Sequence, residues 1–277
     1  NVAAARMLLD KGASPKAKES QRQQTALMWA AANSQGPMTR LLVERGADVD
    51  AKTAIDLMTP LVSAEPRAQP RSPGGMTALM FASREGCLDC VAAMVEKGAA
   101  VNLPDPEGVT PLIWAIWNTR FDVAKYLIEH GADVNRWDWW GRTPLYLAVD
   151  YVTLPHGGRP DQPSLDQTLP IEIVRLLLEK GADPNPQPKM PAPMRATGND
   201  RGLDPMLQAG TTPLIRAAKA MDVESMDALL EHGADISLTT SRRMTATLAA
   251  SGMGSTDADT RGYFTTSDVQ ERAIAAL

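Results

Sequence analysis

The sequence has few of the residues, and none of the motifs, on which enzyme chemistry usually depends. Its 277 residues include only two cysteines and three histidines. It contains no phosphate-binding GxxxxGK(S/T) or GxGxxG pattern, no HExxH metal motif and no GxSxG nucleophile motif. The sequence therefore predicts that this chain is not an enzyme and that it binds no cofactor and no metal.

The two cysteines form a single CxxC pair, Cys87 and Cys90. Such a pair is redox-active in some proteins and half of a metal site in others. Here there is no second pair, and Val91 stands where a haem-attachment motif has His. We therefore expect both cysteines to be small buried apolar side chains.

Charge excess and long apolar runs are also lacking. The 28 basic and 33 acidic residues give a net charge of −5, which is not the electrostatic footprint of a nucleic-acid-binding protein. No apolar run is long enough to span a membrane. These absences predict a protein partner, with no nucleic acid and no membrane insertion, and they do not indicate a compartment.

What the sequence does contain is a repeat, most complete in residues 110–143, which read TPLIWAIWNTRFDVAKYLIEHGADVNRWDWWGRT. Thr110 can cap a helix that begins at Pro111, because a missing N–H at the first helical position costs nothing. Apolar stripes indicate two short helices, and Gly131 can close the second in the left-handed conformation. A hairpin-like finger then leads to Thr143.

Copies of this unit are found by position. The Thr anchors lie at 25, 77, 110, 143, 212 and 245, and the Gly anchors at 12, 46, 98, 131, 181 and 233. In the regular copies Gly follows Thr by 21 residues, as from Thr110 to Gly131, and the next Thr follows by 12, as from Gly131 to Thr143. The period is therefore 33 residues, which is typical of a solenoid.

The repeated words are TPL at 110, 143 and 212, TAL at 25 and 77, and GAD at 46, 131, 181 and 233. In these residues the chain resembles the ankyrin-repeat family. The resemblance implies an all-α solenoid of stacked antiparallel helix pairs with β-hairpin-like fingers, and a concave surface that binds other proteins. The sequence departs from the family where a His usually follows TPL, so we expect more apolar packing there, at Met28, Met80, Ile113, Tyr146 and Ile215.

We expect one array over residues 1–277. It comprises a partial repeat over 1–24, repeats starting near 25, 77, 110, 143 and 212, and a truncated repeat over 245–277, with insertions near 51–73, 151–170, 186–209 and 253–266. The frame opens and stops inside a repeat, so we expect further repeats or flanking domains of a longer chain. The apolar half of the first insertion is expected to pack partly, through Ile55, Leu57, Met58, Leu61 and Val62.

The candidate binding residues are large aromatic side chains at positions that vary within the family and face the groove. They are Trp29, Phe81, Trp114, Trp117, Trp137, Trp139, Trp140 and Tyr151. They predict a non-catalytic protein–protein interaction module with an aromatic-rich concave face. The alternative is a structural or accessory segment of a larger multidomain protein, whose groove is filled by its own insertions or by neighbouring domains.

Overall fold

The computed structural model describes residues 1–56, 74–153, 166–189 and 209–251, and for residues 151–153 it describes the backbone alone. These parts of the chain are helical, and no strand forms within them beyond two isolated bridges. The helices are α1 Val2–Asp10, α2 Ala26–Ala32, α3 Gly36–Glu44, α4 Ala78–Glu85, α5 Leu88–Val95, α6 Pro111–Trp117, α7 Phe121–Glu129, α8 Pro144–Thr153, α9 Pro170–Glu179, α10 Pro213–Lys219, α11 Val223–Glu231 and α12 Ala246–Ala250.

Threonine starts the first helix of every pair. In each case the hydroxyl oxygen accepts the backbone N–H of the third helical residue, as from Met28 to Thr25 at 3.2 Å and from Ile113 to Thr110 at 3.3 Å. The same bond is made at Thr77, Thr143, Thr212 and Thr245. This confirms the prediction that the Thr anchors are helix caps.

The chain divides into two compact units, residues 1–133 and residues 134–277. In the first unit α2, α4 and α6 pack side by side as one row, and α1, α3, α5 and α7 form the second row. The core between the rows includes Ile116 and Leu127, both fully buried. Leu8 is 61% exposed, because α1 has only α3 beside it in its row.

In the second unit α8 pairs with α9 and α10 with α11, and α10 also packs against α8 and α12. Leu177 and Leu229 are fully buried in its core. In both units the residues that stand in place of the usual His are buried, namely Met28, Met80, Ile113, Tyr146 and Ile215. The expected gain in apolar packing over His stays a prediction. The prediction of one array over residues 1–277 remains a prediction.

Asparagine side chains join three of the fingers to the finger that follows. The amide nitrogen of Asn102 donates to the carbonyl of Gly131 at 3.0 Å, and its oxygen accepts the N–H of Asp133 at 2.8 Å. Asn135 bonds in the same way to Gly181 and Asp183, and Asn185 to Gly233 and Asp235. We call these three residues the asparagine ladder. It fixes the spacing of the repeats within each unit.

The histidines that precede two Gly anchors, His130 and His232, have a structural role. The Nδ1 atom of His130 lies 2.7 Å from the carbonyl oxygen of Tyr126, and that of His232 lies 2.8 Å from the carbonyl oxygen of Ala228. These carbonyls belong to the last turn of their helices, so each ring interacts with the C-terminal end of the helix dipole. His156 lies outside the described residues.

The cysteines differ from expectation. Cys87 and Cys90 are buried, as expected, but their sulfurs are joined in a disulfide. Cys87 is the N-cap of α5 and Cys90 lies one turn into the helix, so their Cα atoms are 5.2 Å apart, within the range that a disulfide spans. The prediction that both cysteines are buried is confirmed, and the disulfide is a feature that it did not include.

The two ends of the first insertion meet. The N–H of Thr53 donates to the carbonyl of Met76 at 3.0 Å, and Ile55 forms a bridge with Gly74. The Ile55 side chain is 47% exposed, so its packing is only partial. Leu57, Met58, Leu61 and Val62 lie outside the described residues.

Candidate functional site

The finger that follows α7 in sequence is closed by a turn around Asp138. The Asp138 N–H donates to the carbonyl of Arg142 at 3.1 Å, and the Gly141 N–H donates back to the carbonyl of Asp138 at 2.8 Å. The Asp138 Oδ1 atom also accepts the N–H groups of Trp140 and Arg142 at 3.0 and 2.9 Å. Gly141 has φ of +82°, which a residue with a Cβ adopts only at a cost. One carboxylate thus accepts two of the hydrogen bonds that close the fingertip.

A buried ion pair fixes this carboxylate. Arg142 Nε and Nη2 lie 2.8 and 2.6 Å from Asp138 Oδ2, and the two side chains are 5% and 0% exposed. The guanidinium carbon also lies 4.7 Å from the centre of the Trp140 ring, which is a cation–π arrangement. Trp140 is only 6% exposed. It therefore supports the ion pair, contrary to the expectation that it faces a partner.

The other two tryptophans of the finger are open to solvent. Trp137 and Trp139 flank the buried Asp138, and each is 63% exposed. Among the described residues neither ring stacks on another ring or lies under a cation. Two large apolar side chains thus project from a fingertip that is itself held rigidly.

Neighbouring fingertips of the second unit contact one another through their backbones. A Cβ built on Gly141 would lie 3.3 Å from the Cα of Pro188. The carbonyl of Pro188 accepts the N–H of Gly210 at 2.7 Å, and the carbonyl of Ala209 accepts the N–H of Ser241 at 2.8 Å. The tips therefore form one row, which we call the fingertip row and define as residues 136–142, 187–189, 209–210 and 239–244.

In the first unit the exposed aromatic residue is Trp29, on α2, at 58%. Trp114 and Trp117 of α6 are half-buried and stack on each other, with ring centres 5.5 Å apart and planes 18° apart. The indole nitrogen of Trp114 is buried and has no hydrogen-bond partner. These two rings shield each other and leave less surface for a partner than Trp29 does.

Phe81 also departs from expectation. It is 8% exposed, and the guanidinium of Arg84 lies 5.3 Å from its ring centre. Arg84 is itself tied to Glu85 at 2.8 Å. Phe81 is thus covered by a neighbouring cation and is not presented to solvent.

The family model described as "Ankyrin repeats (3 copies)" matches residues 53–138. The model described as "Ankyrin repeat" matches residues 22–54, 140–188 and 209–241. Together these matches span well over half of the sequence. The chain belongs to the ankyrin-repeat family. Among solved structures, the crystal structure of the human ASB11 ankyrin repeat domain is similar, with a TM-score of 0.60 and 18% identity, over 100% of this chain and 93% of that one. No curated protein matches the chain.

This ankyrin chain is therefore an all-α solenoid, as the sequence predicted. Ankyrin repeats are in general protein–protein interaction modules, so a protein partner is the general expectation. At 18% identity the ASB11 likeness concerns the fold alone. The choice of binding residues depends on the geometry of this chain.

Of the eight candidate residues, Trp29, Trp137 and Trp139 are exposed, Trp114 and Trp117 are half-buried, and Phe81 and Trp140 are buried. The side chain of Tyr151 lies outside what the structure describes. Sequence reasoning missed the basic residues of the fingertip row. Their signal was available, since none of the four occupies a core position of the repeat and Arg243 stands where other fingers have glycine.

Within residues 1–56, 74–153, 166–189 and 209–251, no three side chains of His, Cys, Asp or Glu are grouped so that they could hold a metal ion. No helix in those ranges is long and apolar enough to cross a membrane.

Proposed function

We propose that this chain is a non-catalytic protein-interaction module that binds its partner through exposed tryptophans on the finger side of the repeats. The observation that carries the proposal is the pair Trp137 and Trp139, each 63% exposed on a tip held by a buried ion pair. Exposed Trp is costly in water, and Trp is enriched among interface residues that dominate binding energy.

Rigidity of the support strengthens the proposal. Binding costs free energy when a loop must be ordered, and a preorganised loop avoids that cost. The Asp138 carboxylate accepts two backbone N–H groups and pairs with Arg142, so the tip needs no ordering on contact. The two tryptophans are thus presented in a fixed geometry.

A second candidate function follows from the first unit. Trp114 and Trp117 stack on each other and are half-buried, which suits a structural or accessory segment of a larger protein whose aromatic residues are covered internally. Acrylamide quenching of single-tryptophan variants separates the two candidates. Strong quenching at Trp137 and Trp139 supports the interaction module, and protection at every tryptophan supports the accessory role.

The direct test uses the substitutions Trp137→Thr and Trp139→Ser together, because Thr239 and Ser241 occupy the same positions in another finger of the second unit. A partner is captured from an extract of the source cells, purified, and its Kd is measured for each variant. Truncating central interface aromatics often costs 2 kcal/mol or more, so we expect at least a roughly thirtyfold weaker Kd. Stability should change by about 0.5 kcal/mol or less.

The matched control is Gln21→Ala, an exposed fingertip position of the first unit. It should leave both Kd and melting temperature unchanged. If the double variant binds the partner as tightly as the wild type does, the tryptophans are not the binding surface. If the double variant melts several degrees lower, they are packing residues.

A further inference from the structure

Four basic side chains lie on the fingertip row, in the finger that carries Trp137 and Trp139 and in the two fingers that follow it. Arg136 belongs to the same finger as Trp137, Lys189 to the next, and Arg242 and Arg243 to the one after that; all four are exposed. None of them forms an ion pair among the described residues, whereas Arg175 and Arg216 of the same unit do. The row therefore carries positive charge that this part of the chain does not neutralise.

Backbone contacts join the three fingers that carry these cations. The Cα of Pro188 and the N of Lys189 lie 3.3 and 3.4 Å from a Cβ built on Gly141, and the N–H of Ser241 bonds to the carbonyl of Ala209. Gln187 bridges two fingers, since its Nε2 donates to the carbonyls of Gly210 and Thr239 at 2.9 and 3.1 Å. The cations therefore follow one another along a continuous row.

The carboxylates of the same fingers have other duties. Asp138 is fully buried and paired with Arg142. Asp183 accepts the N–H of Asn185 at 2.9 Å, and Asp235 accepts both the N–H and the hydroxyl of Ser237 at 2.8 and 2.6 Å. These two carboxylates lie at the start of their fingers, where they close local turns, and not at the tips.

Arg243 adds an independent argument. Its φ is +60°, and it stands two residues before the Thr anchor, where Gly108, Gly141 and Gly210 stand in other fingers. A glycine adopts this conformation without steric cost, and an arginine does not. The sequence thus carries a cation at the tip where the backbone favours glycine.

We propose that the fingertip row of the second unit binds an acidic, extended protein segment. Its carboxylates pair with Arg136, Lys189, Arg242 and Arg243, and its apolar side chains pack on Trp137 and Trp139. Arginine suits this task because its planar fork donates to both oxygens of a carboxylate. This inference rests on the proposed function and names the chemistry of the partner.

Single-stranded nucleic acid is the other polyanion that binds to tryptophan beside basic groups. One observation favours protein. The chain belongs to the ankyrin-repeat family, whose repeats are in general protein–protein interaction modules. Nucleic acid is therefore an outcome of the test.

The experiment selects a phage-displayed library of random 12-residue peptides on the whole chain. The enriched peptides are synthesised with a fluorescein label, and their Kd values are measured by anisotropy in 0.05 and 1 M NaCl. Three variants are compared with the wild type: Arg242→Gln with Arg243→Gly, Trp137→Thr with Trp139→Ser, and the control Lys11→Gln with Lys16→Gln. The control removes two exposed charges from the first unit. A labelled 15-residue oligothymidylate is measured in parallel.

We expect the enriched peptides to carry net negative charge. The arginine variant should bind them about fivefold to tenfold more weakly at 0.05 M NaCl, as two surface ion pairs would imply. That difference should vanish at 1 M, where the Debye length is about 3 Å. The lysine control should bind like the wild type.

Several results overturn the inference. Enriched peptides that are neutral or basic, no enrichment, or an arginine variant that binds acidic peptides as the wild type does would each show that the partner is not acidic. If binding of those peptides still requires Trp137 and Trp139, the proposed function stands and only the inference of an acidic partner fails. Tighter binding of oligothymidylate than of any peptide would assign the row to nucleic acid. If the tryptophan variant binds the peptides as tightly as the wild type does, both proposals for this surface are wrong.

Discussion

The finger at Asp105 in the first unit and the finger at Asp138 in the second share one backbone design. In each, the Asp N–H donates to the carbonyl four residues later at 3.1 Å, and the carboxylate accepts the N–H groups two and four residues later. Each has a left-handed glycine three residues after the Asp. The fourth residue differs, since it is the fully buried Val109 in one finger and the ion-paired Arg142 in the other.

The tips differ as well. Pro104 and Pro106 in the first unit occupy the positions of Trp137 and Trp139 in the second. Basic side chains also have different duties, because Lys18 and Lys52 of the first unit donate to the carbonyls of Lys52 and Pro104 at 3.2 and 3.0 Å. The repeat therefore keeps the residues that shape the backbone and varies those that meet solvent. Function is to be sought where two fingers of equal shape differ.

The largest expected effect concerns the buried pair. Asp138→Asn leaves the Arg142 charge buried without its counter-ion, so we expect a loss of about 3–5 kcal/mol in the free energy of unfolding. Asp105→Asn, in the finger that has valine in place of arginine, should cost only about 1 kcal/mol. Urea unfolding of both variants measures the difference.

The double variant Asp138→Asn with Arg142→Val sharpens this test. It removes the unpaired charge and copies the apolar residue of the other finger, so most of the lost stability should return. Equal losses for Asp138→Asn and Asp105→Asn would mean that the ion pair adds nothing to the shared turn.

The asparagine ladder should act alike in both units. Asn102→Ala and Asn135→Ala each remove one donor and one acceptor between neighbouring fingers, and we expect each to cost about 1–2 kcal/mol in urea unfolding. Glutamine at the same positions, one methylene longer, should not restore the bonds. If only one of the two variants loses stability, the ladder stabilises one unit and not the other.

Left-handed residues that are not glycine offer a gain in stability. Arg243→Gly and Gln23→Gly should each raise the free energy of unfolding by up to about 1 kcal/mol, because φ is +60° and +56° at these positions. Gly141→Ala is the reverse control and should be destabilising, as its Cβ would also press on Pro188. Thermal melts measure all three. A loss of stability in Arg243→Gly would mean that the arginine side chain stabilises its finger.

The smallest effect concerns pH. Glu19 closes the first finger, and the backbone N–H of Gln24, followed by those of Gln21 and Arg22, lowers its pKa from 4.5. The stability that the Glu19 carboxylate contributes is therefore fully present above pH 4.5. It is lost as the pH falls through the lower pKa of the folded state. In the last finger the Thr240 hydroxyl oxygen accepts the N–H groups of Arg242 and Met244, and this hydroxyl does not titrate.

Melting temperatures at pH 7 and pH 3 test this contrast. The wild type should lose more stability on acidification than Glu19→Gln does, whereas Thr240→Ala should lose as much as the wild type. If Glu19→Gln and the wild type fall equally, the carboxylate does not stabilise the first finger.

Much of this fold could be predicted because its signals are local and repeat. Thr110, Pro111 and Gly131 specify where helices begin and end within a few residues, and the 33-residue period extends that specification along the chain. The buried core could be predicted for the same reason. Leu127 is fully buried and occupies a helix face that recurs from repeat to repeat.

The site could be predicted only in part, because exposure depends on what a neighbouring element places over a side chain. Phe81 and Trp29 occupy equivalent positions, yet Arg84 covers one ring while the other is open. Trp140 follows an exposed tryptophan in sequence but packs with Arg142. The disulfide is similar, since the spacing of Cys87 and Cys90 is compatible with thiols, with a metal half-site and with a bond.

The rungs of the asparagine ladder bridge sequence separations of 29, 46 and 48 residues at 3.0, 2.9 and 3.1 Å. The bond is thus indifferent to how much chain runs between its two ends. For protein engineering this means that chain can be added between Asn135 and Gly181 without stretching the ladder bond. A foreign peptide or a small reporter domain placed there would leave the ladder bond from Asn135 to Gly181 at its present length, so the scaffold could carry cargo while the fingers keep their register.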